Sequence, residues 1–156
     1  MLIGLTRCTP VGWGVWDKPP AHLFPVTDAT VQAAYDYIFA PWVKALGLCE
    51  LSVGAGRASA RLPLNAALQF SSGAVCGQAI MAAIDTVVSL AMATTDRASK
   101  GTVYQHTHFL RPAVGDDFRI EAAVLRFGKA TAYAEARLMF VSSGVLVAHA
   151  TAECAF

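Results

Sequence analysis

The sequence predicts an α+β domain in which an antiparallel sheet curls around one long apolar helix. Three observations predict it. Residues 77–94, Gly-Gln-Ala-Ile-Met-Ala-Ala-Ile-Asp-Thr-Val-Val-Ser-Leu-Ala-Met-Ala-Thr, are apolar for most of their length and carry no helix breaker after the first position. Four strand-like runs follow, at about 101–111, 118–127, 131–141 and 145–156. The links between them are short and rich in turn residues: Pro112 to Asp116, Gly128-Lys129 and Ser142-Ser143-Gly144. Links that brief imply antiparallel neighbours in a meander.

The elements ahead of the long helix are less regular. Residues 1–27 hold Pro10, Gly12, Trp13, Gly14, Trp16, Pro19, Pro20 and Pro25, and read as an irregular arm that packs through its aromatics. The main domain is expected over 28–156. Thr27 or Asp28 is placed to cap a helix whose apolar positions Val31, Ala34, Tyr35, Ile38 and Phe39 keep a 3.6-residue period. Pro41 should kink or divide that helix, and Gly47 is a natural stop. An extended run from Cys49 to about Leu64 follows, with Gly54 and Gly56 marking a turn or bulge.

Composition narrows the class. The 156 residues suit one domain with a real core. Hydrophobic residues make up 55% and charged residues 15%, so part of the apolar surface is expected to be covered by another subunit. The formal net charge of +1 carries no nucleic-acid footprint. No window reaches the roughly 18 apolar residues of a membrane span. The first residues lack the order of a secretory signal, because Arg7, Pro10 and Gly12 interrupt the short apolar start. Cys8, Cys49, Cys76 and Cys154 have no metal-type spacing, and reduced thiols in a cytoplasmic protein are the expected reading.

One residue stands against the apolar pattern. Asp85 is the only acid between Glu50 and Asp96 and lies among Ile80, Met81, Ile84, Val87, Val88 and Leu90. A carboxylate is costly to bury unless something pairs with it or uses it. Asp85 is therefore the first candidate for chemistry. The helix starts behind a glycine-containing loop at Gly73, and backbone N–H groups at a helix N-terminus supply donors to a developing oxyanion.

The run Gly73-x-x-Cys76-Gly77-Gln78, with Asp85 nine residues after Cys76, is followed by Phe109-Leu110-Arg111-Pro112-Ala113-x-Gly115-Asp116 and by Arg126-x-Gly128-Lys129. Together with the closing Gly144-x-Leu146-Val147-Ala148 it resembles the hotdog-fold acyl-CoA thioesterases of the phenylacetic-acid-pathway (PaaI-like) type, over about 46–156. The resemblance implies a hotdog fold and a homodimer or dimer of dimers with sites between subunits. It also implies hydrolysis of an acyl-CoA or aryl-CoA thioester with no cofactor beyond the coenzyme A of the substrate. The family motif opens the helix with His-Gly-Gly and carries the catalytic acid nine residues after the His. That sets Asp85 on the acid, Cys76 on the His, Gly77 on the first Gly and Gln78 on the second. An Asn that related enzymes carry about six residues before the His falls on Phe70.

Thioester hydrolysis then assigns Asp85 as general base or nucleophile and the helix start at Gly77-Gln78 as oxyanion hole. Cys76 is a second nucleophile candidate, against a plain packing role. Thr86 and Ser89 are hydroxyls near the acid. His106 and His108 share one face of their strand with Tyr104, which suits a cleft or a subunit seam better than a metal site, and no third metal ligand accompanies them. Arg111 and Lys129, at turns, are candidates for the coenzyme A phosphates or are ordinary solvated charges. A non-hydrolytic acyl-thioester-binding protein, lacking the motif His and Asn, is the alternative.

Overall fold

The computed structural model describes residues 20–156. Trp13, Trp16, Cys8 and most of the expected N-terminal arm lie outside the described residues. The arm's last stretch packs inward: Leu23 and Val26 are buried, and the Val26 N–H donates to the Ala93 carbonyl at 2.8 Å.

Helix α1 spans Val31–Ile38 and buries Val31, Ala34 and Tyr35, as the 3.6-residue period requires. Its N-cap is Thr30 rather than Thr27 or Asp28, and no side chain caps it. Asp28 is used elsewhere. Its carboxylate accepts the Val53 N–H at 2.9 Å and the Ser52 hydroxyl at 2.8 Å, which closes part of an exposed strand edge. These bonds hold its carboxyl below the usual carboxylate value. Pro41 divides the helix, since Pro at the first helical position needs no N–H partner, and a short α2 spans Pro41–Lys44.

The extended run after Gly47 is two strands, β1 (Cys49–Gly54) and β2 (Arg57–Leu62), joined by a tight turn in which Gly56 adopts φ +66°. A 3-10 turn at Ala66–Leu68 leads to α3 (Gly77–Met92). Strands β3 (Gly101–Phe109), β4 (Phe118–Phe127), β5 (Thr131–Phe140) and β6 (Leu146–Ala155) complete one antiparallel six-stranded sheet.

The strand order is β1-β2-β4-β5-β6-β3. The expected meander holds for β4, β5 and β6 but not for β3, which pairs with β6 and not with β4. Both edges of β4 are taken, by β2 and β5, so the 110–117 link carries the chain across to the other side of the sheet. It passes the start of α3, where the Val75 N–H donates to the Ala113 carbonyl at 2.9 Å. That crossing positions the site.

Helix α3 lies on the concave face and forms the core with the inward residues Leu62, Phe118, Ile120, Leu138 and Val147, all fully buried. Ile84, Val87, Val88 and Leu90 are fully buried as well. Burial of one such side chain contributes about 1.5–3 kcal/mol. Gln78, Met81, Ala82, Asp85 and Ser89 recur at helical spacing and stay partly or fully exposed, forming one open stripe. Strand β3 runs beside that stripe as an edge of the sheet, with Val103, Tyr104 and Phe109 exposed.

Candidate functional site

Asp85 sits midway along α3 on the open stripe, half-buried rather than sealed in the core. Its Oδ1 accepts a 2.7 Å hydrogen bond from the Thr102 hydroxyl. A bond to the ionised form of a carboxylate is among the stronger side-chain pairs. Behind Thr102 lies the Cys154 sulfur, 4.0 Å from the hydroxyl oxygen. Burial pushes that thiol up.

Asp85 and Thr102 line a shallow cavity of about 300 Å³ with Met81, Ala82 and Gln105. The Gln105 amide donates to Thr107 Oγ1 at 2.9 Å and to the Met81 carbonyl at 3.3 Å, fastening β3 to the helix. The Met81 carbonyl only accepts, so this contact orients the amide. Gln105 Oε1 is left buried without a partner.

A second, larger cavity of about 450 Å³ opens at the start of α3. Its walls are apolar: Phe70, Val75, Ile80, Phe109, Leu110 and Ala113 among them, with Arg111 as the charged member. Cys76 is the N-cap in an extended conformation, and no side chain caps the first turn. The N–H groups of Gly77 and Gln78 therefore have no intrahelical acceptor. Backbone N–H groups at a helix start, with the helix dipole behind them, are the type of donor that suits developing negative charge. Asp85 stands about 12 Å further along the same helix axis, eight residues at 1.5 Å each. One helix cannot bring both groups to a single carbonyl.

The other sequence-predicted residues fall in different places. Gln78 is exposed beside Gly77, and half-buried Cys76 packs against the core edge. Gly73, at φ +83°, makes the turn that a side chain would strain, and Phe70 stands on that turn at the cavity rim. Thr86 is corrected: it is 2% exposed, on the core side, and its hydroxyl is spent on the Ala82 carbonyl at 2.8 Å. Ser89 lies one turn beyond Asp85 on the open stripe, outside the lining of either cavity.

His106 and His108 stack with ring centroids 4.4 Å apart. They point away from α3, because the alternate residue Gln105 points toward it. Neither lines a cavity, and among the described residues no group of three or more His, Cys, Asp and Glu is arranged to hold a metal ion. The Arg111 guanidinium is occupied by the Leu146 carbonyl at the rim of the larger cavity. Lys129 is exposed on the β4–β5 turn, which Arg97 ties to the region after the far end of α3 through the Gly128 carbonyl at 2.7 Å. Lys129 lines neither cavity.

Thr102 was not foreseen, and the reason is local. Alternation from Tyr104, His106 and His108 puts position 102 on the outer face with them. A bulge between Thr102 and Tyr104 shifts the register by one, so Thr102 joins Gln105 on the face toward α3. Gly101, at φ +115°, is the one local sequence sign of that irregular strand start.

A curled antiparallel sheet on a long central helix, with a carboxylate midway along it and a first turn that no side chain caps, is the hotdog arrangement. Residues 73–147 match the model of the Thioesterase superfamily. Comparison with curated protein sequences gives no match. Among solved structures, a conserved protein from Pseudomonas aeruginosa is similar at 27% identity and TM-score 0.70, covering 77% of this chain and 96% of its own. Zebrafish thioesterase superfamily member 2 superposes at TM-score 0.75 and 21% identity, over 83% of this chain and 98% of its own. The PaaI protein of the E. coli phenylacetic acid degradation operon gives TM-score 0.70 at 22% identity, over 83% and 95%. The chain thus shares the hotdog fold of these proteins and is similar to the Thioesterase superfamily over residues 73–147. No helix is long and apolar enough to cross a membrane among the described residues.

Proposed function

We propose that this protein hydrolyses an acyl-CoA or aryl-CoA thioester to the free acid and coenzyme A, with Asp85 as the working carboxylate. The observation that carries the reading is the Thr102–Asp85 hydrogen bond at the edge of a cavity on an otherwise apolar helix. The site is completed by a second copy of the chain. Strand β3 is a nine-residue edge with exposed apolar side chains and no proline, the kind of edge that pairs or aggregates. Antiparallel pairing of two β3 strands lays the open stripe of one α3 beside that of the other. Asp85 of one copy then faces the N-terminus of α3 in its neighbour, which removes the separation of about 12 Å within one helix.

In the reaction, the thioester carbonyl oxygen accepts hydrogen bonds from the Gly77 and Gln78 N–H groups. Asp85 takes a proton from water as the water oxygen bonds to the carbonyl carbon, and negative charge moves onto the carbonyl oxygen. Collapse of that adduct breaks the carbon–sulfur bond and releases the thiolate, which leaves as the thiol after taking up a proton. In the nucleophilic variant an Asp85 carboxylate oxygen bonds to the carbonyl carbon and the carbon–sulfur bond breaks, expelling the thiolate. Water then cleaves the mixed anhydride to the free acid and restores Asp85, the proton lost by water going to the thiolate. No cofactor enters either route. With Cys49, Cys76 and Cys154 as free thiols, the cytoplasm is the compartment that suits the chain.

The test is release of free thiol from a panel of acyl- and aryl-CoA thioesters. Turnover supports the reading. Binding of the same compounds without thiol release moves the function to the non-hydrolytic alternative, in which Cys76, Gln78 and Phe70 stand where the motif His, Gly and Asn would act.

A further inference from the structure

We propose that Phe109 is a specificity-determining residue of this site, its ring forming the wall that limits the bulk of the acyl group; the inference rests on the thioester reading above. Gly77 has an ordinary helical backbone rather than a positive φ, so space and not conformation asks for glycine there. A Cβ at Gly77 would lie 3.2 Å from Phe109 Cζ and 3.5 Å from Cε1. The ring therefore stands directly against the backbone of the first helical residue, beside the N–H that receives the carbonyl oxygen. An acyl chain bonded to that carbonyl begins next to the ring.

The rest of the cavity is softer. Ala74, Val75, Ile80 and Ala113 form aliphatic walls, and Phe70 stands on a turn at the rim. Phe109 is anchored differently: its backbone is paired opposite Ala148 on β6, so the ring hangs from the sheet itself. The atoms nearest a Gly77 side chain all belong to Phe109. Removing the ring opens space at the carbonyl end of the acyl group, where branching and aromatic substituents are felt most.

The experiment compares the wild-type protein with Phe109→Ala and Phe109→Leu on a series of straight-chain, branched and aryl acyl-CoA thioesters. A parallel arm measures binding of the matching non-hydrolysable thioethers by calorimetry. The expected result is a bulky-to-straight ratio of kcat/KM that rises about tenfold in Phe109→Ala, with Phe109→Leu between it and wild type. Phe109→Leu keeps the test alive should the alanine variant fail to fold. A uniform loss across all acyl groups, or an unchanged ratio in a folded variant, overturns the proposal. Wild type that binds the thioethers but cleaves nothing sinks the hydrolytic reading alone, and size selection is then scored on the binding ratios. Wild type that neither binds nor cleaves overturns both.

Discussion

The Thr102 hydroxyl donates a 2.7 Å hydrogen bond to the Asp85 carboxylate, joining the edge strand of the sheet to the middle of the central helix. The two residues are 17 positions apart in the chain. They meet because β3, joined to the end of α3 by 93–100, runs back along the helix, and because a bulge turns Thr102 inward. This contact ties the one carboxylate of the helix to an edge strand of the sheet.

Asp85→Asn tests the carboxylate without changing its shape. Asp85 contributes little packing and the Asn Oδ1 still accepts from Thr102, so the variant should fold, with a melting temperature lowered only by the lost charge assistance of that bond. Thiol release should fall about 10²- to 10⁴-fold while acyl-CoA binding survives. A variant with wild-type turnover would remove Asp85 from the mechanism.

Thr102→Val keeps the side-chain volume and removes the donor. A hydrogen bond to a charged group contributes about 1.5–3 kcal/mol, so kcat should drop about tenfold or more with KM little changed. Steady-state kinetics at neutral pH decide it. A Ser at this position should restore most of the rate.

The β3 edge can be tested by charge. His106→Glu with His108→Glu places carboxylates on both strands of a β3–β3 pair, and like charges across a strand pair repel. Both residues are exposed in the single chain, so the fold itself should tolerate the change. Light scattering should show a shift toward the 16.5 kDa monomer, with loss of thiol release in parallel. A monomer that retains full activity would show that one copy suffices.

The Asp117 carboxyl is held below its ordinary value of 3.8 by the Leu64 N–H first and by the Arg61 side chain second. Asp117 Oδ1 accepts the Leu64 N–H at 2.7 Å, and Arg61 also reaches Glu50 at 2.9 Å. A depressed carboxyl stabilises the fold in full above the unfolded-state value, and the contribution fades as pH falls through the lower folded-state value. Asp117→Asn should therefore melt earlier than wild type at pH 7. The gap should close on acidification below about pH 4. Melting curves from pH 7 to pH 2 give the answer.

The sequence by itself determined the long helix, the strand set and the acid worth testing. These rest on local physics: helix period, turn residues, and the cost of a carboxylate among Ile84, Val87 and Val88. The motif spacing also placed Gly77 and Gln78 at the helix start, where the structure leaves their N–H groups uncapped. Tertiary structure alone decided the neighbours. It moved β3 to the far edge because both sides of β4 were already taken. It turned Thr86 into the core and brought Thr102 to Asp85 in its place, since a one-residue bulge reverses which face a strand presents. It also set the Phe109 ring on Gly77. Such contacts depend on how separate elements dock, and no local pattern of residues encodes the docking.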